Sequence, residues 1–290
     1  MSVAVDVLSQ AGTSVVGAVL LVAARSAAAR WRWRDVHRFW GRYRHRDLDV
    51  MTTEYKVKDS YFLEGHESTQ PGITVDDLKE QLIAVSATSG YLVSYATQIS
   101  LSLLQDYFHR RLRIRVHVMG DKNRSSGGPH RDRNLLVLGN PAVNRYLDAF
   151  FDDFCREHPL LREFRWSIGM EGVTLTLPSG ERLEPAIDKT DSGSDYALVV
   201  CLRAEPTTGR QTTIVSACNM WGAEAAIRLL LDPRLIRQLP SGQLPKGGGF
   251  AFLIRAGVFN GGVSRVGLYP TNEDCYVFDL TRTDRPDPGR

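Results

Sequence analysis

A short apolar run that stops at a Gly-Asn-Pro turn constrains this chain more than any other stretch. Leu135-Leu-Val-Leu138 holds no polar residue, the pattern of a strand covered on both faces of a sheet. Gly139-Asn-Pro141 breaks the run, and Leu147, Phe150, Phe151 and Phe154 then recur at helical spacing. Pro141 suits the first turn of a helix, so the pattern predicts a helix over 141–156. A strand, a tight turn and a helix make half of a βαβ unit. Such a turn lies at the carboxyl edge of a sheet, where a helix N-terminus offers unpaired N–H groups to an anion.

The same grammar returns once. Gln211-Thr-Thr-Ile-Val-Ser-Ala217 is β-branched, Cys218-Asn-Met-Trp-Gly222 is a small-residue turn, and Ala223 to Leu231 is helical by composition and period. Between the two junctions, Phe164–Ile168 and Val173–Leu177 flank a Pro178-Ser-Gly turn, predicting a small antiparallel insertion. Tyr196–Leu202 pairs with 211–217 as a hairpin around Pro206–Gly209. Further strands are expected at Val50–Val57, Ile114–Val118, Phe250–Ala256, Arg265–Tyr269 and Cys275–Leu280. Thr74 and Asp77 resemble a capping box that opens a helical segment through Leu78, Leu82 and Val85. A longer helix is expected over Gly90–Arg111, ending in cations that suit a helix C-terminus. Asp121–Arg133 is a charged loop at the sheet end, where ligand contacts gather.

Charge is local. Residues 25–47 carry eight arginines against Asp35 and Asp47, a net +6, so the remainder of a chain of net charge +3 sums to −3. Sequence-specific nucleic-acid binding by the whole chain is therefore not expected. The basic stretch follows Val7–Ala24, 18 residues without a charge, the lower limit for spanning a bilayer. No basic residue precedes it, which fits an anchor better than a cleaved signal. The positive-inside rule puts the rest of the chain in the cytoplasm. Arg30, Arg32, Arg34 and Arg38 then face anionic lipid, with Trp31, Trp33 and Trp40 among the headgroups. The alternative is a cytoplasmic chain in which the N-terminal helix packs on the domain, since Ser9, Gln10, Thr13 and Ser14 dilute its hydrophobicity. Four scattered cysteines without a CxxC pair suit a reducing compartment, with Cys201 and Cys218 as buried hydrophobes.

Leu138-Gly-Asn-Pro-Ala-Val-Asn144 resembles the GGP-x-x-N turn of Rossmann-like domains found at the C-terminus of archaeal S-layer proteins and in uncharacterised bacterial relatives. Ile214 to Ala226 resembles the second element of those domains. Asn140 stands where a second Gly is common, and Ala223 where Thr is frequent. The fold class this implies is α/β, a Rossmann-like three-layer domain with a mixed sheet and a β-hairpin insertion, preceded by an N-terminal hydrophobic helix. The organisation is an anchor at 1–30, a basic juxtamembrane helix at 31–47, the domain at 48–281 and a polar tail at 282–290.

The two turns supply the candidate binding residues: Gly139, Asn140 and Asn144 at the first, Asn219, Trp221 and Gly222 at the second. Their amides and N–H groups suit a phosphate or ribose, and Trp221 suits a stacked ring. Each also has a plain structural role, Asn140 as a helix cap and Trp221 as core. Candidate catalytic carboxylates are Glu224, in the first turn of the second helix, and Asp191 and Asp195 in the loop before Tyr196. His66, His117 and His130 lack metal-ligand spacing, so no metal is assigned. GxGxxG, GxSxG and GxxxxGK[ST] are absent, and no cofactor is named. The expected function is a membrane-tethered cytoplasmic domain that binds a nucleotide-like or other small anionic ligand as sensor or effector. A nucleotide- or nucleoside-processing hydrolase or transferase, and a structural scaffold without turnover, are the alternatives.

Overall fold

A computed structural model describes residues 31–40, 43, 46–53, 55–56, 82–86, 91–120, 132–168, 173–188, 190, 192–202, 205, 207–239, 249–269 and 277–280. The expected anchor at 7–24, the capping box at 74–77, the loop at 121–131, Asp191 and the tail lie outside them. Among the described residues, no helix is long and apolar enough to cross a membrane.

In chain order, helix α1 (Arg34–Trp40) leads to strand β1 (Leu48–Thr52). Three short strands follow, β2 (Tyr55–Lys56), β3 (Leu82–Ser86) and β4 (Tyr91–Ser94), then α2 (Tyr95–Tyr107) with a π-helical turn at Phe108–Leu112. Next come β5 (Val116–Gly120), β6 (Asn134–Leu138) and α3 (Arg145–Glu157). A 3-10 turn at Pro159–Glu163 precedes β7 (Arg165–Ile168), β8 (Val173–Thr176), β9 (Arg182–Leu183) and β10 (Ala186–Ile187). The chain closes with β11 (Gly193–Cys201), β12 (Thr212–Ala217), α4 (Met220–Leu231), β13 (Phe250–Phe259), β14 (Gly262–Tyr269) and β15 (Val277–Asp279).

The main sheet runs β14-β13-β11-β12-β6-β1-β5, with β10 on β11 and β15 on β13. β12, β6, β1 and β5 run parallel to one another, while β11 pairs antiparallel with β12 and β13, and β13 with β14. The sheet is therefore mixed. Both strand–turn–helix junctions form as the sequence predicts, as do the β11–β12 hairpin and the antiparallel β7–β8 pair.

Every residue of β6 is buried because its two faces serve different cores. Leu136 and Leu138 join α1, α2 and α4 on one side of the sheet. Leu135 and Val137 join α3, the 3-10 turn and the small β7-β8-β9 sheet on the other. α4 reads apolar nearly all round, as a helix enclosed on several sides must. The sheet covers one side, and α1 and α2 cover more of it. Trp40 Nε1 donates to Leu230 O at 3.0 Å, tying α1 to the end of α4.

Four expectations are corrected. Trp40 does not reach a headgroup layer: it is fully buried against Tyr43 and Phe108, because α1 turns Val36, Phe39 and Trp40 inward. Leu82–Ser86 is a strand rather than part of a helix, and Tyr91–Ser94 pairs antiparallel with it. The expected helix over 90–111 therefore begins only at Tyr95; pairing with a neighbouring strand outweighs a helical reading of single residues. α3 likewise starts at Arg145, four residues later than expected, because the 141–143 stretch is a turn that Asn144 closes as cap.

Candidate functional site

Numbered along the chain, the four parallel strands stand second, first, third, fourth across the sheet (β5, β1, β6, β12). The direction of winding thus reverses between β1 and β6, so their carboxyl ends open a crevice between chain segments that leave in opposite directions. In open α/β sheets such a reversal is where ligands bind. Thr52 of β1 lies opposite Leu138 of β6, which makes Thr53 and Gly139 the two sides of that crevice.

The first turn is built around close approach. Gly139 has φ +148°, and a Cβ there would stand 2.4 Å from Thr53 Oγ1. Its carbonyl accepts from Ser216 Oγ at 2.8 Å and its N–H donates to Val215 O at 3.0 Å, fastening the turn to β12. Asn140 spans the same gap: Nδ2 donates to Ala217 O at 2.7 Å, and Oδ1 accepts the Ala142 N–H at 3.1 Å. Asn144 is the N-cap of α3, its Oδ1 taking the Leu147 N–H at 2.9 Å while Nδ2 donates to Thr53 Oγ1 at 3.2 Å. Asn140 and Asn144 are 3% and 0% exposed. Both amides are spent on the turn, so they shape the crevice rather than line it as free donors. A helix leaves its first N–H groups without intrahelical partners. Among the described residues, Asn144 caps Leu147, and no side chain is recorded on the N–H groups of Arg145 and Tyr146.

The second turn is already occupied. Asp195, fully buried at the start of the apolar part of β11, accepts the N–H groups of Asn219 at 3.0 Å and Gly222 at 2.5 Å. It also accepts from the Tyr196 N–H at 2.7 Å. Burial pushes its carboxyl up to about 7, against the three N–H groups of Gly222, Tyr196 and Asn219 that pull it down. Asn219 adds its own side chain as cap, accepting the Met220 N–H at 2.8 Å. The protein's own carboxylate therefore fills the place an external anion would take at α4. Gly222 is glycine because a Cβ would stand 2.5 Å from Tyr196 O, where α4 crosses β11. Trp221 is 4% exposed, packed with Ala96 and Val258.

Glu224 sits one turn further along α4, 1% exposed. Among the described residues its carboxylate has one recorded partner, Arg228 Nη2 at 2.6 Å from Oε1, on the helix's own next turn. Burial pushes the Glu224 carboxyl up, and the Arg228 charge opposes it. Of the two described candidate carboxylates, Asp195 has its oxygens taken up by backbone donors and Glu224 does not. Asp188 caps its own loop, accepting from Thr190 and Ser192.

The structure thus brings Gly139, Asn140, Asn144 and the second-turn residues to one edge, within a few bonds of one another through Ser216 and Ala217. Thr53 and Ser216 are central to this edge and carry no sequence signal: a hydroxyl at the end of a strand has no diagnostic pattern. Asp49 and Arg133 form a partly buried ion pair at 3.1 Å on the α3 side of the sheet, also unsignalled. No three His, Cys, Asp or Glu side chains among the described residues gather as metal ligands. No family model, curated protein or solved structure matches this chain.

Proposed function

We propose that this chain is a Rossmann-like ligand-binding domain, tethered to the cytoplasmic face of a membrane by residues 7–24, that takes a nucleotide-like or other small anionic ligand and acts as sensor or effector. One observation carries the reading: the winding reversal between β1 and β6 coincides with the close approach of Gly139 to the Thr53 hydroxyl and with the N-terminus of α3. A helix N-terminus at a reversal point suits a phosphate or carboxylate. Recognition at this place rests on backbone N–H groups of Arg145 and Tyr146, with Thr53 and Gly139 setting the shape. The second turn contributes rigidity, since Asp195 already satisfies it.

The experiment is a thermal-shift screen of the full chain in detergent against inorganic phosphate, mono-, di- and trinucleotides and dinucleotides. Stabilisation by one of these, weakened by Thr53→Val and accompanied by no product, is the expected result. A ligand at a hundred times its dissociation constant stabilises by about 2.7 kcal/mol. No response across the panel favours the scaffold reading.

The enzyme reading draws on Glu224, a buried carboxyl that burial pushes up against the Arg228 charge. Turnover of a nucleotide by the full chain that vanishes in Glu224→Gln, with the folded state intact, selects it over the sensor.

A further inference from the structure

Two basic stretches more than 70 residues apart in sequence come together on one surface. The first is Arg32, Arg34 and Arg38 on and before α1, all exposed. The second is Arg110, Arg111 and Arg113 at the π-helical end of α2, also exposed. Trp33 joins them. Its ring lies against Tyr107 at 6.1 Å with 29° between planes, and the Arg111 guanidinium stands 4.6 Å over its face. Tyr107 OH meets His37 Nδ1 at 3.1 Å, a second tie between the two helices. Arg237, after α4, adds a third strand of charge, 5.1 Å from the Trp31 ring. Two carboxylates temper the surface: Asp35 sits 3.5 Å from both Arg34 and Arg237, and Asp106 pairs with Arg110 at 2.6 Å. The balance remains strongly positive, and Trp31 is 64% exposed in its midst.

The surface has a fixed place in the fold. Arg113 and Arg115 run directly into the amino end of β5, and the Leu48 N–H at the start of β1 donates to Arg115 O at 2.9 Å. Tyr43, just past α1, holds Thr213 and Asn134 at the amino ends of β12 and β6. The cationic surface therefore lies toward the amino edge of the parallel strands, opposite the crevice at Thr53 and Gly139.

We propose that this composite surface is a docking face for an anionic lipid bilayer, with the end of α2 contributing as much as the arginines of residues 32–38, so that the crevice points away from the membrane. The proposal rests on the tether reading, because the uncharged stretch 7–24 ends only a few residues before Trp31 and delivers this face to the bilayer. Exposed tryptophan among arginines suits the headgroup layer, where the ring sits at the interface and guanidiniums meet phosphates. A single-stranded nucleic acid is the competing occupant of such a surface.

The test places an environment-sensitive fluorophore on the α2 end, using the full chain with Cys275→Ser and His109→Cys; Cys155, Cys201 and Cys218 are buried. Phosphatidylglycerol vesicles should shift the probe emission to the blue, and phosphatidylcholine vesicles should not. High salt should abolish the shift, as should Arg110→Glu with Arg113→Glu, neither of which packs on Trp33. The milder Arg110→Gln with Arg113→Gln should reduce it if the reversed pair fails to fold. A chain that sediments with both vesicles while the probe stays unchanged overturns the docking face and leaves the tether standing. A chain that sediments with neither overturns both. A shift with single-stranded RNA that vesicles cannot reproduce overturns the lipid assignment in favour of nucleic acid.

Discussion

Asp195 Oδ2 accepts the Gly222 N–H at 2.5 Å, so a carboxylate from the strand β11 caps the helix that follows the next strand, β12. This crosslink holds the two elements at the spacing that also forces residue 222 to lack a side chain. Asp195→Ala should cost about 3 kcal/mol or more, since it strips acceptors from buried backbone donors at about 1–3 kcal/mol each. Chemical denaturation of both chains measures it; a change below about 1 kcal/mol would show that water replaces the carboxylate.

The same residue sets a pH dependence whose sign follows from its surroundings. The folded chain holds the Asp195 proton to about 7, and the unfolded chain releases it near 3.8. Between these values the folded state binds more protons, so this group's contribution is greatest below about 4 and is lost as pH rises toward 7. Asp195→Asn, which does not titrate, should lack that slope. Denaturant midpoints of the two chains at several pH values between 4 and 8 give the difference, expected to be at most about 4 kcal/mol across the window. Parallel curves would mean that the N–H groups of Gly222, Tyr196 and Asn219 overcome burial.

Gly139→Ala meets three penalties at once: a left-handed backbone, the Thr53 hydroxyl and, at 2.9 Å, the Asn144 amide nitrogen. About 1–3 kcal/mol is expected from the backbone alone, with more from the contacts. Adding Thr53→Ala removes the hydroxyl but neither the backbone strain nor the Asn144 contact, so the double variant should recover part of the loss and no more. Thermal melts of the single and double variants decide this, and full recovery would place the whole cost on the Thr53 contact.

Asn144→Ala should lose about 1 kcal/mol for the missing cap of α3, plus a smaller amount for the bond to Thr53 Oγ1. Asn144→Asp retains the acceptor for the Leu147 N–H and should keep most of the stability. If the two variants prove equally destabilised, the Thr53 bond is the one that matters.

Trp40→Ala removes a fully buried ring that donates to Leu230 O, and about 3–5 kcal/mol is expected for such a truncation. Trp31→Ala, at an exposed ring, should leave the melting temperature nearly unchanged. This pair of melts separates the two tryptophans, which the sequence places in one and the same Arg/Trp run.

What the sequence determined by itself was the local grammar. A short apolar run bounded by a Gly/Pro turn reads as a strand with both faces covered, and Leu135–Leu138 is one; Gly139 and Pro141 interrupt it, and α3 follows them. The β11–β12 hairpin and the helix α4 were equally legible, because period and composition act over a few neighbouring residues. The candidate turns were found for the same reason, since Gly, Asn and Pro leave a mark wherever a strand gives way to a helix. Only the tertiary structure decided how those turns are used. Asn140 and Asn144 are consumed by the turn, Asp195 occupies the second helix N-terminus, and Thr53 forms the opposite wall. Each of these depends on strand order and on contacts between residues 24 to 91 positions apart. Hydrogen-bond partners at that separation are set by packing, and no local pattern encodes them. Trp40 and Trp31 differ for the same reason: α1 has one face against α4, and the position of that face is fixed by the core it meets.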